Sequence, residues 1–251
     1  MSSVGGKKLG TKRGNAAGRL TASAVVVLAA LAAAGCGGNP VRGRIEREVE
    51  QKLPEIIGPA AAYSVSAHGP TMRMIKGRLD RLDITGEEVL LPSGIRVSRL
   101  EVSIEDLEFD TDSGSIKRAG RTRYTAVLGE AEVNRWAAVR YPEIPELKVI
   151  LREGSARVSA RPGMSKARVT VQADAYPVIR DRRTLGLDLY DVRAIGVSAP
   201  GFAREYLEGR LPAIFDVRDM GFDATVAAVK IAPGRLTLQG ELDLTAALKA
   251  R

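Results

Sequence analysis

The chain has 251 residues, 45% of them hydrophobic, with 38 Lys+Arg against 30 Asp+Glu and a formal net charge of +8. Residues 1–35 hold Lys7, Lys8, Lys12, Arg13 and Arg19 and no acid, so the remaining 216 residues (251 − 35) carry 33 bases against 30 acids, a net of +3. That balance and ample apolar content exclude a disordered chain and remove the case for a nucleic-acid binder made on isoelectric point alone.

The basic stretch ending at Arg19 runs into Leu20–Ala34, an unbroken series of Leu, Val, Ala, Thr and Ser. A positive segment followed by a short apolar one is the shape of a secretory signal peptide. It is too short for a comfortable membrane span of about 20 residues. Leu31-Ala32-Ala33-Ala34-Gly35-Cys36 then sets small residues before the only cysteine. This resembles the bacterial lipoprotein processing site, with Ala33 where leucine is usual. A lone cysteine makes no intramolecular disulfide, and acylation there would anchor the chain at about 0.8 kcal/mol per buried CH₂. The expected organisation is a signal peptide over 1–35, an acylated Cys36 with a short tether over 36–42, and one domain over 43–251. The mature protein is expected to be exported and lipid-anchored on the cell membrane or outer envelope, facing the periplasm or exterior.

Ile45, Val49, Leu53 and Ile56 share one helical face, and Pro54 is expected to end or kink that helix. Tyr63, Val65 and Ala67 alternate as in a half-buried strand. Leu79, Leu82 and Ile84 lead to a turn expected near Gly86, with a second turn at Pro92-Ser93-Gly94. Leu100, Val102 and Ile104 point one way while Leu107 and Phe109 fall out of phase, which predicts a bulge near Glu105-Asp106. Thr111–Gly120 reads as a polar loop, and Gly129–Tyr141 as a second helix with Val133, Trp136, Ala137 and Arg140 on one face. Strands follow at Leu147/Val149/Leu151, Val158/Ala160, Val169/Val171/Ala173 and Leu185/Leu187/Leu189, with turns at Arg161-Pro162-Gly163 and Arg180–Thr184. A third helix begins near Ser198 and Pro200 and carries Ala203, Leu207 and Leu211. The chain closes on a hairpin around Pro233-Gly234. Antiparallel β with a few helices, α+β in class, is the predicted architecture.

Catalytic patterns do not emerge. His68 is the only histidine and lies on the polar side of its strand, so neither a His-based zinc site nor Cys-His catalysis has the residues it needs. Nucleophile-elbow, Ser-x-x-Lys, Walker and dinucleotide motifs are all missing. The expectation is no enzyme, no metal and no cofactor. Two basic clusters stand out: Lys117, Arg118, Arg121 and Arg123 in and after the polar loop, and Arg180, Arg182 and Arg183 at a hairpin tip. Arg118, Arg121, Arg180, Arg182 and Arg183 are candidates for contact with anionic headgroups. The bland alternative is two solvated turns. Without interleaved aromatics they do not suit single-stranded nucleic acid, and no nucleic-acid partner is expected.

The order of segments carries a resemblance. Gly69-Pro70-Thr71-Met72-Arg73-Met74-Ile75-Lys76-Gly77 with the strand through Ile84, the strand Arg99–Asp110, the helix containing Gly129–Trp136, then Leu211-Pro212 and the hairpin to Gly240 together resemble the LmeA-like phospholipid-binding family. The likeness covers roughly residues 43–247. It implies a tubular lipid-binding fold, a long curled antiparallel sheet wrapped against a helix around an apolar channel, and phospholipid binding in the cell envelope. Strand alternation and methionine adaptability nominate Met72, Met74, Ile75, Leu100, Val102, Ile104, Trp136, Leu185, Leu187 and Leu189 as channel-lining candidates, with ordinary core packing as the rival for each. The leading expectation is a lipid-binding or lipid-transfer lipoprotein whose partners are phospholipid and a membrane surface. The alternative is an envelope scaffold without lipid, working through an unidentified protein partner such as a membrane glycosyltransferase.

Overall fold

The computed structural model describes residues 39–162, 169–195, 200–210, 215–217 and 223–244. The signal segment, Cys36, Ser198 and Leu211 lie outside the described residues.

Asn39 opens the first helix, α1 (Pro40–Ile56), its side chain accepting a hydrogen bond from the Val41 amide at 3.1 Å, with proline at the first position where a missing N–H costs nothing. The helix runs two residues past Pro54 rather than stopping there. In this last turn the proline removes only a bond at the helix end, and the Ile57 amide still reaches the Leu53 carbonyl at 2.8 Å. Next come β1 (Ala62–His68), a one-turn helix α2 (Thr71–Ile75), β2 (Arg78–Leu90) and β3 (Arg96–Phe109). β2 passes straight through Gly86, where a turn was expected. The glycine is needed for space, because a Cβ there would sit 2.8 Å from the ring of Tyr63, its cross-strand partner. The turn at Pro92–Gly94 forms as expected, closed by the Leu91 amide on the Ile95 carbonyl at 2.9 Å. The phase break at Glu105–Asp106 is also present: Asp106 has φ 48°, and the buried series passes from Ile104 to Leu107.

The expected polar loop contains a short strand, β4 (Ile116–Arg118). β5 (Thr122–Gly129) then crosses the middle of the sheet, a strand the sequence reading does not anticipate. Its inward series of Thr122, Tyr124, Ala126 and Leu128 alternates cleanly but is diluted by small and polar residues. After α3 (Glu130–Arg140) come β6 (Lys148–Leu151), β7 (Ala156–Ala160), β8 (Thr170–Arg180), β9 (Thr184–Ile195), α4 (Pro200–Glu208), β10 (Phe215–Asp216), β11 (Ala224–Ala232) and β12 (Arg235–Leu242). Within α3, Arg140 is exposed instead of sharing the buried face of Val133 and Ala137.

All strand pairs are antiparallel, but they divide into two sheets instead of one long one. The first has the order β1-β2-β3-β5-β12-β11, with β4 also on β3, and the second runs β10-β9-β8-β7-β6. One buried apolar cluster joins the inner face of the first sheet to Val149, Leu151, Ala156 and Leu185 of the second. A smaller cluster packs Ala203, Tyr206 and Leu207 of α4 onto Val171, Ala173 and Leu189.

A helix covers one edge of each sheet in the same way. Glu46 and Glu50 of α1 accept hydrogen bonds from the Ala67 and Val65 amides of β1 at 2.9 and 3.0 Å. On α3, Asn134 pairs both ways with the Val149 backbone at 2.7 and 2.8 Å, and Glu130 accepts from the Leu151 amide at 2.8 Å. Unpaired edge groups invite association with other chains, and here side chains occupy them.

Close approach in the first sheet is tightest at Gly240, where an added Cβ would lie 1.8 Å from the Thr225 carbonyl oxygen and 2.8 Å from the Tyr124 ring. Gly240→Ala is expected to cost about 2–3 kcal/mol or more, because backbone must move. Gly201→Ala, in open space within α4, is expected to gain about 0.5–1 kcal/mol. Urea unfolding of the two variants checks both signs.

Candidate functional site

The apolar stripe of α1 does not close onto the sheet beneath it. Between them lies a cavity of about 230 Å³, lined from α1 by Ile45, Val49 and Leu53 and from the sheet by Leu82, Ile84, Leu100, Val102, Ile104 and Tyr124. Leu107, Phe109, Asp110, Thr111, Gly114 and Ile116 form its rim at one end of the sheet, and Leu242 and Leu244 complete it. That rim is organised by Asp110, whose carboxylate accepts the Asp112 and Ser113 amides at 3.0 and 2.9 Å and holds the Lys117 ammonium at 2.7 Å. The Lys117 ion pair first, and those amides next, hold the Asp110 carboxyl far below the usual carboxylate range.

Among the described residues, the buried side-chain polar atom of this lining without a partner belongs to Tyr124. It is 3% exposed, and its hydroxyl is buried without a hydrogen-bond partner. Desolvation pushes its phenol up to about 12. The ring lies over Gly240, directly opposite on β12, which is why the bulky side chain fits at all.

A second cavity, of about 60 Å³, sits farther along the same sheet face. Leu128, Trp136, Leu185, Leu187 and Leu238 are among its walls, so both sheets and α3 contribute.

A polar basin of about 500 Å³ adjoins the first cavity, the two sharing Leu242 and Leu244. It gathers Arg121 with Arg182 and Arg183 from the β8–β9 hairpin tip, so residues from both basic clusters meet. The tip turns on Asp181 and Arg182 at φ 45° and 58°, a two-residue left-handed turn suited to a tight hairpin. Arg121 pairs with Glu241 at 3.0 Å and Arg183 with Asp223 at 3.1 Å, whereas Arg182 has no ion pair among the described residues. Asp181 and Asp243 also line the basin, so three arginines face four carboxylates. Arg118 lies outside it, exposed on β4, and Arg180 lies with its guanidinium against Gly186.

The nominated lining residues therefore separate. Leu100, Val102 and Ile104 share the larger cavity, while Trp136, Leu185 and Leu187 share the smaller one. Leu189 is buried in the α4 cluster. Met74 is buried in the main core, but Met72 and Ile75 are 66% and 53% exposed and line neither cavity. The expectation for these two treated the segment as leading into a strand. As a single helical turn it sends only Met74 inward. Tyr124, Leu242 and Leu244, and the α1 stripe as a cavity wall, are lining residues the sequence reading does not single out.

An α+β protein with an apolar cavity opening beside a polar basin is built to receive an amphiphile. A family model described as LmeA-like phospholipid-binding matches residues 36–241, and the chain belongs to that family. Its role is accordingly in lipid binding. No curated protein and no solved structure matches the chain.

A buried hydroxyl without a partner costs roughly 1–3 kcal/mol. Tyr124→Phe is therefore expected to leave the lipid-free protein as stable or more stable, raising its melting temperature by about 2–4 °C for each kcal/mol recovered. Calorimetry on the delipidated protein checks the sign, and a clear loss would mean the hydroxyl is satisfied in solution.

Proposed function

We propose that this chain is an exported, lipid-anchored envelope protein that takes up phospholipid without catalysis. Acyl chain enters the cavity beneath α1 and the headgroup rests in the adjoining basin. The observation that carries the reading is the junction at Leu242 and Leu244, where an apolar cavity and a charged basin share a wall. Burial of acyl chain supplies the affinity, at about 25 cal/mol per Å² removed from water. Arg182, free of ion pairs among the described residues, takes the phosphate.

A cavity of about 230 Å³ is smaller than the roughly 300–1,000 Å³ of pockets that hold drug-sized ligands. Uptake of a whole acyl chain therefore involves movement of α1. The helix belongs to neither ladder, and hydrogen bonds that Glu46 and Glu50 accept from β1 amides tie it to the sheet. Such attachments release more easily than a strand in mid-sheet. The non-catalytic reading is supported by the family, whose description is phospholipid binding. Export and acylation at Cys36 rest on the basic and apolar segments and the small residues before that cysteine.

The test is native mass spectrometry after incubation with bacterial phospholipid vesicles. Wild type is expected to carry phospholipid-mass adducts. Val102→Trp, which fills the cavity, is expected to lose them while keeping its far-ultraviolet circular dichroism, and Val139→Ser, at an exposed position of α3, is expected to keep them. A wild-type protein that stays lipid-free overturns the proposal and favours a scaffold role.

A further inference from the structure

We infer that α2 is a membrane-docking element, inserting Met72 and Ile75 into the bilayer so that the cavity rim faces the lipid it takes up. The inference rests on the lipid-uptake reading and adds which end of the molecule meets the membrane. Met72 and Ile75 are among the most exposed large apolar side chains, at 66% and 53%. They sit on a turn that also carries Arg73 and Lys76. Arg73 is paired with Asp80, and Lys76 has no ion pair among the described residues. Two exposed apolar side chains beside cationic ones match the interface of an anionic bilayer, with apolar groups below the headgroups and charge among them.

Two further observations select a bilayer over a protein partner. The start of α1 is tied to α2 by a hydrogen bond from the Asn39 side chain to the Thr71 hydroxyl, at 2.5 Å. Cys36, the proposed acylation site, lies three residues before Asn39 (39 − 36), and three residues of extended chain reach at most about 10 Å. An acyl anchor would thus hold α2 against the membrane surface. On its other side α2 is fixed to the cavity rim. The Gly77 carbonyl accepts the Phe109 amide at 2.8 Å, and a Cβ on Gly77 would sit 2.2 Å from the Phe109 carbonyl oxygen. The apolar turn and the rim therefore share one end of the first sheet, where β2 begins and β3 ends. Val139, the most exposed large apolar residue among the described residues at 79%, lies on α3, which follows the opposite end of β5.

The test uses the full-length chain with Cys36→Ser and a single new cysteine at Met72, Ile75 or Val139, labelled with an environment-sensitive fluorophore. Vesicles of phosphatidylethanolamine and phosphatidylglycerol are expected to blue-shift and brighten the probe at 72 and 75 and leave the probe at 139 unchanged. Equal responses at all three positions would overturn the inference. In the unlabelled Cys36→Ser chain, Met72→Glu with Ile75→Glu is expected to weaken vesicle binding roughly tenfold per side chain. Uptake of a dissolved short-chain phospholipid is expected to stay unchanged. Unaltered vesicle binding by the double variant would count against docking. Failure of the wild type to bind the short-chain lipid would instead contradict the uptake reading, and the probe response would still decide docking.

Discussion

The structure turns on hydrogen bonds that the bare edge of a sheet donates to carboxylates on a helix. β1 ends the first sheet with amides that no neighbouring strand can take, and Glu46 and Glu50 accept two of them. These bonds fix where α1 lies, and the position of α1 decides how much of the sheet's apolar face is covered. A strand in that place would extend the ladder and leave the face open. A helix held by its carboxylates instead turns Ile45, Val49 and Leu53 over the face without filling the space beneath. Coverage and vacancy have one origin.

The other end of the fold uses the same device to a different effect. Asn134 and Glu130 seat α3 on the edge of β6, and Trp136 from that helix packs at the junction of the sheets, leaving only about 60 Å³. The second sheet also bonds to the outer strand of the first, the Val226 amide reaching the Arg182 carbonyl at 2.6 Å. The apolar core is thus closely packed where α3 meets both sheets and less filled under α1. Within the proposed function, rigidity and adaptability fall in separate places.

Much of this was legible in the chain because half-buried strands and amphipathic helices write their period into the sequence. The alternation at Tyr63–Ala67 and Leu100–Ile104, the stripe of α1 and the closing hairpin are all found where that pattern puts them. β5 escaped because its inward residues include Thr122 and Ala126, which weigh little as hydrophobic signals although both are buried. α2 misled for the opposite reason: a single turn is too short to display a period, so Met72, Met74 and Ile75 looked alike. Nothing local states how strands distribute between sheets, which is why one long sheet was expected and two are found. The basin was least legible of all, since Arg121 and Arg182 meet only through the packing of the β8–β9 hairpin beside the ends of β11 and β12.

The central claim is that acyl chain occupies the space between α1 and the inner face of the first sheet. Photocrosslinking with a phospholipid carrying a diazirine at its acyl terminus, followed by peptide mapping, tests it directly. The account predicts adducts on Val49 or Leu53 of α1 and on Val102 or Ile104 of β3, lost when Val102→Trp fills the cavity. Adducts confined to exposed positions such as Val139, unaffected by that substitution, would contradict it.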